Sequence, residues 1–179
     1  VTIDPSILCH PNIPKPLHGI NPRTIYGKDW WDVERRKTYA QNDFHCSACG
    51  VYKQDALFHH WLEAHEFYLF DYTRGWVIFD HLVPLCHACH NFIHDGRMRM
   101  MVDRGDMSQS KYIQIINHGM AVLKQAGLAK ARQARHNHPS HVEWQDWRMV
   151  VDGKEYGPSS PSFEAWLAGE WRNWRPEHD

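Results

Sequence analysis

Residues 85–97 read LCHACHNFIHDGR, and within these thirteen positions stand two cysteines, three histidines, an asparagine and an aspartate. Such a segment in a small folded chain would ordinarily be burying apolar side chains, so this density of ligand atoms asks for a chemical reason. Cys86-x-x-Cys89 has the spacing of a zinc knuckle. His90-x-x-x-His94 has the spacing that sets two imidazoles one turn apart on one helix face. The stretch therefore predicts two overlapping metal functions, one closed by thiolates and one open on imidazoles.

Upstream, Cys46-Ser-Ala-Cys49 supplies a second knuckle. Four of the five cysteines thus fall into two pairs, and in a chain without secretory features they read as ligands of one structural Zn2+ rather than as disulfides. Cys9 is left over as a plain thiol. Nine Trp and 13% aromatic residues in 179 predict an ordered protein. No apolar run approaches the roughly 20 residues of a spanning helix. The beginning, VTIDPSILCHPNIPKP, lacks the basic-then-apolar pattern of a signal peptide. The expectation is a soluble intracellular protein with no membrane partner.

A net charge of −1 supplies no global field for a polyanion, so any nucleic-acid contact has to be local. Candidate basic groups are Arg35-Arg36-Lys37, then Arg97, Arg99 and Arg104, then Lys124, Lys130, Arg132 and Arg135. Each is equally legible as part of a solvated helix face.

Punctuation divides the chain into four parts. Residues 1–28, rich in Pro and Asn, read as an extended N-terminal arm. Residues 29–105 open with a short helix, with Asp29 as its N-cap, that leads into the first knuckle. The run WLEAHEFYLFDYTRGWVIFDHLVPLC over 61–86 then has the aromatic and β-branched composition of two strands around Thr73-Arg74-Gly75. A helix through His94 follows. Residues 106–137 place Ile113, Ile116, Met120, Leu123 and Leu128 on one helical stripe starting at Ser108 or Ser110. Residues 138–179 hold a hairpin turning at Asp152-Gly153 and a last helix capped by Ser162, with Trp166, Trp171 and Trp174 packing near one stripe. The fold class is α+β, a small ββα-metal finger with a structural zinc, flanked by helices and the arm.

The residues Cys46-x-x-Cys49, His65-Glu66 and Leu82-Val83-Pro84-Leu85-Cys86-x-x-Cys89-His90-x-x-x-His94 resemble the HNH (His-Me finger, ββα-metal) endonuclease family in its four-cysteine zinc version. The stretches AHEFYLFDY and His94-Asp95-Gly96-Arg97 resemble a bacterial and phage subgroup. The resemblance covers about residues 29–100. It implies a DNA phosphodiester hydrolase, cytoplasmic in a bacterial or phage-infected cell, with DNA as partner and Arg97 and Arg99 as the nearest phosphate contacts. It also implies a catalytic divalent cation such as Mg2+, Mn2+ or Ni2+ on His65, His90 and His94.

Hydrolysis of a phosphodiester needs a water nucleophile, a base and a cation for the developing charge. Two registers supply them. In the first, His65, His90 and His94 hold the cation and Glu66, which stands where the family has a second histidine, is the base; as a carboxylate it then needs desolvation to become basic enough. In the second, His65 is the base and the cation rests on His90, His94 and a carboxylate such as Glu66 or Asp71. The second keeps an imidazole in the role suited to neutral pH. Consecutive strand residues leave opposite faces, so His65 and Glu66 reach one ion only across a bulge or strand end. The family asparagine that holds the base is replaced by His81, preceded by Asp80, and Asn91 does not restore it by spacing. These departures support a rival function, a finger that keeps its zinc and binds DNA or a protein without cleaving.

The remaining histidines carry the plainer expectation. His10, His18, His59, His60, His118, His136, His138 and His141 read as polar or packing residues, and His87 as an exposed one inside its knuckle.

Overall fold

A computed structural model describes residues 1–134 and 141–177. Arg135, His136 and His138, named above, lie outside the described residues. The expected pair of strands is present: β1, Leu62–Asp71, and β2, Trp76–Cys86. Their turn is closed by the Asp71 carboxylate, which accepts the N–H groups of Thr73 and Arg74 at 3.0 Å each. Gly75 has φ 72°, which a side chain would strain.

The described residues divide into two units, 1–12, 35–65 and 83–134 in the first, 13–34, 66–82 and 141–177 in the second. The boundary cuts β1 after His65 and β2 before Val83. A helix, α1 (Pro22–Gln41), also runs from one unit into the other, interrupted at Gly27 with φ 86°. Its part beyond Gly27 is the short helix expected before the first knuckle.

In the second unit β2 pairs in parallel with β3, Arg148–Val151, and β3 pairs antiparallel with β4, Lys154–Tyr156, giving the order β1-β2-β3-β4. Asp152 and Gly153 both have positive φ, 49° and 78°, the backbone of the tight turn predicted there. Leu17, Ile20, Tyr68, Val77, Trp147, Met149 and Val151 form its core. The predicted last helix is short. It runs as Phe163–Leu167 behind its Ser162 cap, and Gly169 at φ 84° ends it before a 3-10 turn. Trp166 donates its indole N–H to His18 Nδ1 at 3.1 Å, and Trp174 packs edge-on against Tyr156. These tryptophans pack, as expected.

In the first unit α2 (His87–Ile93) follows β2 directly, α3 (Asp95–Asp103) follows α2, and α4 (Gln109–Gln125) starts at its Ser108 cap. The buried positions of α4 are Ile115, Gly119 and Leu123, whereas Ile113 and Met120 are exposed. The predicted stripe is therefore rotated. The reason is Gly119: a Cβ there would lie 2.2 Å from the Phe92 ring, so only glycine lets α4 approach α2 this closely. A hydropathy pattern scores that glycine as a gap in the face.

Residues 1–28 also differ from an extended arm. They hold 3-10 turns at Pro5–Cys9 and Lys15–Leu17 and the first turn of α1. Residues 1–12 belong to the first unit, where Leu8 is fully buried. Asp4 N–H donates to Ser47 O at 2.6 Å, and Thr2 N–H to the Asn42 side chain at 2.6 Å, so the arm is fastened to the first knuckle. No helix among the described residues is long and apolar enough to cross a membrane.

Candidate metal centres

The two knuckles meet. Cys46, Cys49, Cys86 and Cys89 place their sulfur atoms within 4.8 Å of one another, and no disulfide joins the described cysteines. The backbone builds each half. Gly50, at φ 76°, donates to Cys46 O at 2.8 Å to close the first turn, and Cys86 caps α2 by accepting the Cys89 N–H at 3.5 Å. A tetrahedral metal with metal–sulfur bonds of about 2.3 Å needs sulfurs about 3.8 Å apart. Cys49 and Cys86 are separated by 3.8 Å. Crowding splits the thiols: hydrogen bonds from Cys46, Cys86 and Cys89 drive Cys49 far below the usual thiol range, and hydrogen bonding to Cys46 and Cys49 pushes Cys86 far above it. Three buried cysteines and the half-buried Cys49, which together cannot keep four protons, are matched to a divalent cation, and the all-thiolate set fits zinc.

One turn further on, His65, His90 and His94 bring one nitrogen each within 4.8 Å of the others. Their ring centroids form a near-equilateral triangle of 5.4, 5.2 and 4.9 Å. α2 supplies His90 and ends at Ile93, so His94 occupies the junction with α3 rather than a regular helical position. Its N–H still reaches His90 O at 3.4 Å, which keeps the two imidazoles one turn apart.

His65 is 3% exposed, and its Nδ1 is buried with no hydrogen-bond partner among the described residues. Burial first, then the nearby His90, His94 and His10, hold its pKa well below the usual imidazole value. A neutral, buried ring with an unmatched nitrogen, packed beside two more imidazoles, suits a cation ligand more than a base that must meet water. Glu66 is the next residue of the same strand and half-buried. His81 is exposed on β2, packs at 5.2 Å from the Phe67 ring, and donates its Nδ1–H to Asp80 at 2.7 Å. That bond leaves Nε2 as an acceptor.

The structure adds residues that the sequence reading passed over. Glu63 accepts from His87 Nδ1 at 2.7 Å and from His90 Nδ1 at 2.5 Å. Burial alone would raise its pKa, but these two imidazole hydrogen bonds overcome that and drive it well below the carboxylate range. His87, expected to be exposed, is half-buried because it serves this carboxylate. The signal for Glu63 was strand parity, since it stands two residues before His65 and so on the same face. His118 of α4, read as a packing residue, lies with Nε2 3.4 Å from Cys89 Sγ. His10 meets His65 at 3.2 Å across 55 residues of sequence, a contact with no local periodicity to announce it.

Of the basic candidates, Arg97 and Arg99 are exposed, with Arg99 donating to the Tyr112 hydroxyl at 3.2 Å. Arg132 is not available to a polyanion in the same way. Its guanidinium pairs with Asp95 at 3.0 Å and lies 3.5 Å above the Phe92 ring. Arg35 and Lys53 line a shallow cavity of about 200 Å³ together with Tyr39, Phe44, His60 and Trp61. No protein-family model, curated protein or solved structure matches the chain.

Proposed function

We propose that the chain is a metal-dependent endonuclease of the HNH type that hydrolyses DNA phosphodiester bonds. The observation that carries the reading is the triangle of His65, His90 and His94, which α2 links through adjacent Cys89 and His90 to a thiolate cluster of zinc composition. The thiolate cluster would hold zinc as a closed structural site, with no position left for water or phosphate. The imidazoles would hold Mg2+, Mn2+ or Ni2+. A cation there supplies positive charge to the phosphate oxygens and acidity to a bound water.

The side chains divide the remaining work. His65 contributes a neutral ring, because burial and its neighbours disfavour protonation. Glu63 fixes His90 by holding its Nδ1–H, which leaves Nε2 as the donating nitrogen. The proton of the attacking water needs an acceptor. By their places in the sequence motif, Glu66 and His81 are the candidates, and His81 has its Nδ1 engaged by Asp80. Arg97 and Arg99 are the cationic groups nearest in sequence to the site for contact with phosphate.

The test is cleavage of supercoiled plasmid by purified protein in Mg2+, Mn2+, Ni2+ or Zn2+, with an EDTA control. Nicking that His94→Ala abolishes while zinc content and fold persist is the expected result. Absence of cleavage under every metal, with DNA binding retained, would replace the nuclease by a non-cleaving zinc module that binds DNA. Glu66 and His81, which depart from the family pattern, are the features that favour that rival.

A further inference from the structure

The metal triangle has a fourth histidine behind it. His10 is 5% exposed and His65 3%, and their rings meet edge-to-face at 5.1 Å with His65 Nε2 3.2 Å from His10 Nδ1. One proton must lie between those two nitrogens, and either ring can supply it. If His10 donated, a neutral His65 would carry its own proton on Nδ1, where no acceptor exists among the described residues. A buried N–H left unmatched costs about 1–3 kcal/mol, and with Nε2 accepting from His10 that proton would leave the ring no lone pair for a cation. If His65 donates through Nε2–H, both difficulties vanish. Nδ1 then keeps a lone pair for a cation.

We propose that His10 is a positioning residue of the metal site: it accepts the Nε2–H of His65 and so fixes the tautomer and ring orientation that leave His65 Nδ1 open to a cation. This rests on reading the imidazole triangle as a metal site, not on the cleavage reaction. The placement of His10 is itself built. Its own N–H donates to Ile7 O at 3.0 Å at the end of the 3-10 turn, Leu8 is sunk beside it, and Asp4 ties the turn to Ser47 inside the first knuckle. The residues that close the thiolate cluster therefore also set the position of the acceptor behind His65. The N-terminal twelve residues are a working part of the site rather than a tail.

Two variants separate this role from packing. His10→Asn keeps an acceptor near the place of Nδ1, and His10→Leu keeps bulk without one. Ni2+ is titrated calorimetrically into protein whose thiolate cluster holds zinc, with zinc content checked afterwards. His10→Leu is expected to weaken Ni2+ binding about 10–100-fold, the usual effect of removing a hydrogen-bond partner of a metal-bound histidine, with His10→Asn recovering most of it. Long-range 1H–15N correlation spectra of the wild-type protein without Ni2+ are expected to show His65 protonated at Nε2. Folded His10→Leu protein that binds Ni2+ as tightly as wild type, or a wild-type His65 protonated at Nδ1, overturns the role of His10 alone. Wild-type protein that takes up no second ion overturns the metal site beneath it. The wild-type spectrum decides the tautomer even if a variant fails to fold.

Discussion

His90 donates its Nδ1–H to the Glu63 carboxylate at 2.5 Å, which leaves its Nε2 as the nitrogen that can hold a cation in the cluster with His65 and His94. A carboxylate behind a metal-bound histidine fixes its tautomer and raises its basicity. Glu63→Gln should weaken the second-ion affinity about 10–100-fold while the zinc content of the thiolate cluster stays at one per chain. Calorimetry with Ni2+ and metal analysis on the same sample read both. Equal affinity would show that Glu63 serves only His87.

The thiolate cluster joins the loop at Cys46 and Cys49 to the start of α2, beside the Ser47 N–H bond to Pro84 O at 2.8 Å. Cys86→Ala should therefore lose zinc and cooperative unfolding together, since zinc binding and folding are one free energy in such modules. Circular dichroism melts with metal analysis check this. A folded, zinc-free Cys86→Ala protein would assign the stability to packing instead.

Gly119 faces Phe92 at a distance that excludes a Cβ. Gly119→Ala should destabilise by about 1–3 kcal/mol through overpacking, against the helix propensity that alanine would otherwise gain. Phe92→Leu in the same chain should recover part of the loss. Urea denaturation of the single and double variants measures the coupling.

Burial holds the His65 imidazole well below its ordinary pKa. Below the unfolded value of about 6.5 the unfolded chain binds a proton that the folded site refuses, so stability falls as pH drops through that range. One such proton contributes a slope of at most about 1.4 kcal/mol per pH unit. Glu63, also depressed, adds a second loss only below about 4.3. Unfolding free energies from about pH 6.5 to about pH 5 should show a shallower slope in His65→Gln than in wild type. An unchanged slope would place the acid sensitivity on other histidines.

DNA contact is expected on exposed cations of the finger. Arg97→Glu with Arg99→Glu should weaken binding and reduce its salt dependence by about one ion per lost phosphate contact. Arg35→Glu with Lys53→Glu tests the shallow cavity in the same assay. If only the second pair matters, the DNA path runs along that cavity rather than along α3.

Spacing alone determined the thiolate cluster, because Cys-x-x-Cys is a local geometry and a metal has to draw two such pairs together. It determined the hairpin, its turn at 73–75, the Ser108 and Ser162 caps and the Asp152-Gly153 turn for the same reason: each is settled by dihedral preferences within a few residues. His90 and His94 were likewise legible, as one helical turn. What tertiary structure alone decided depends on distance across the chain. The burial of His65, which sets its ring beside His90 and His94 rather than in solvent, follows from its place on β1. The contact of His10 with His65 spans 55 positions, and the rotation of α4 follows from a missing side chain at Gly119 opposite Phe92. Neither leaves a period in the sequence, because an acceptor behind a ring and an empty space beside one acquire meaning only when packing brings the other residue there.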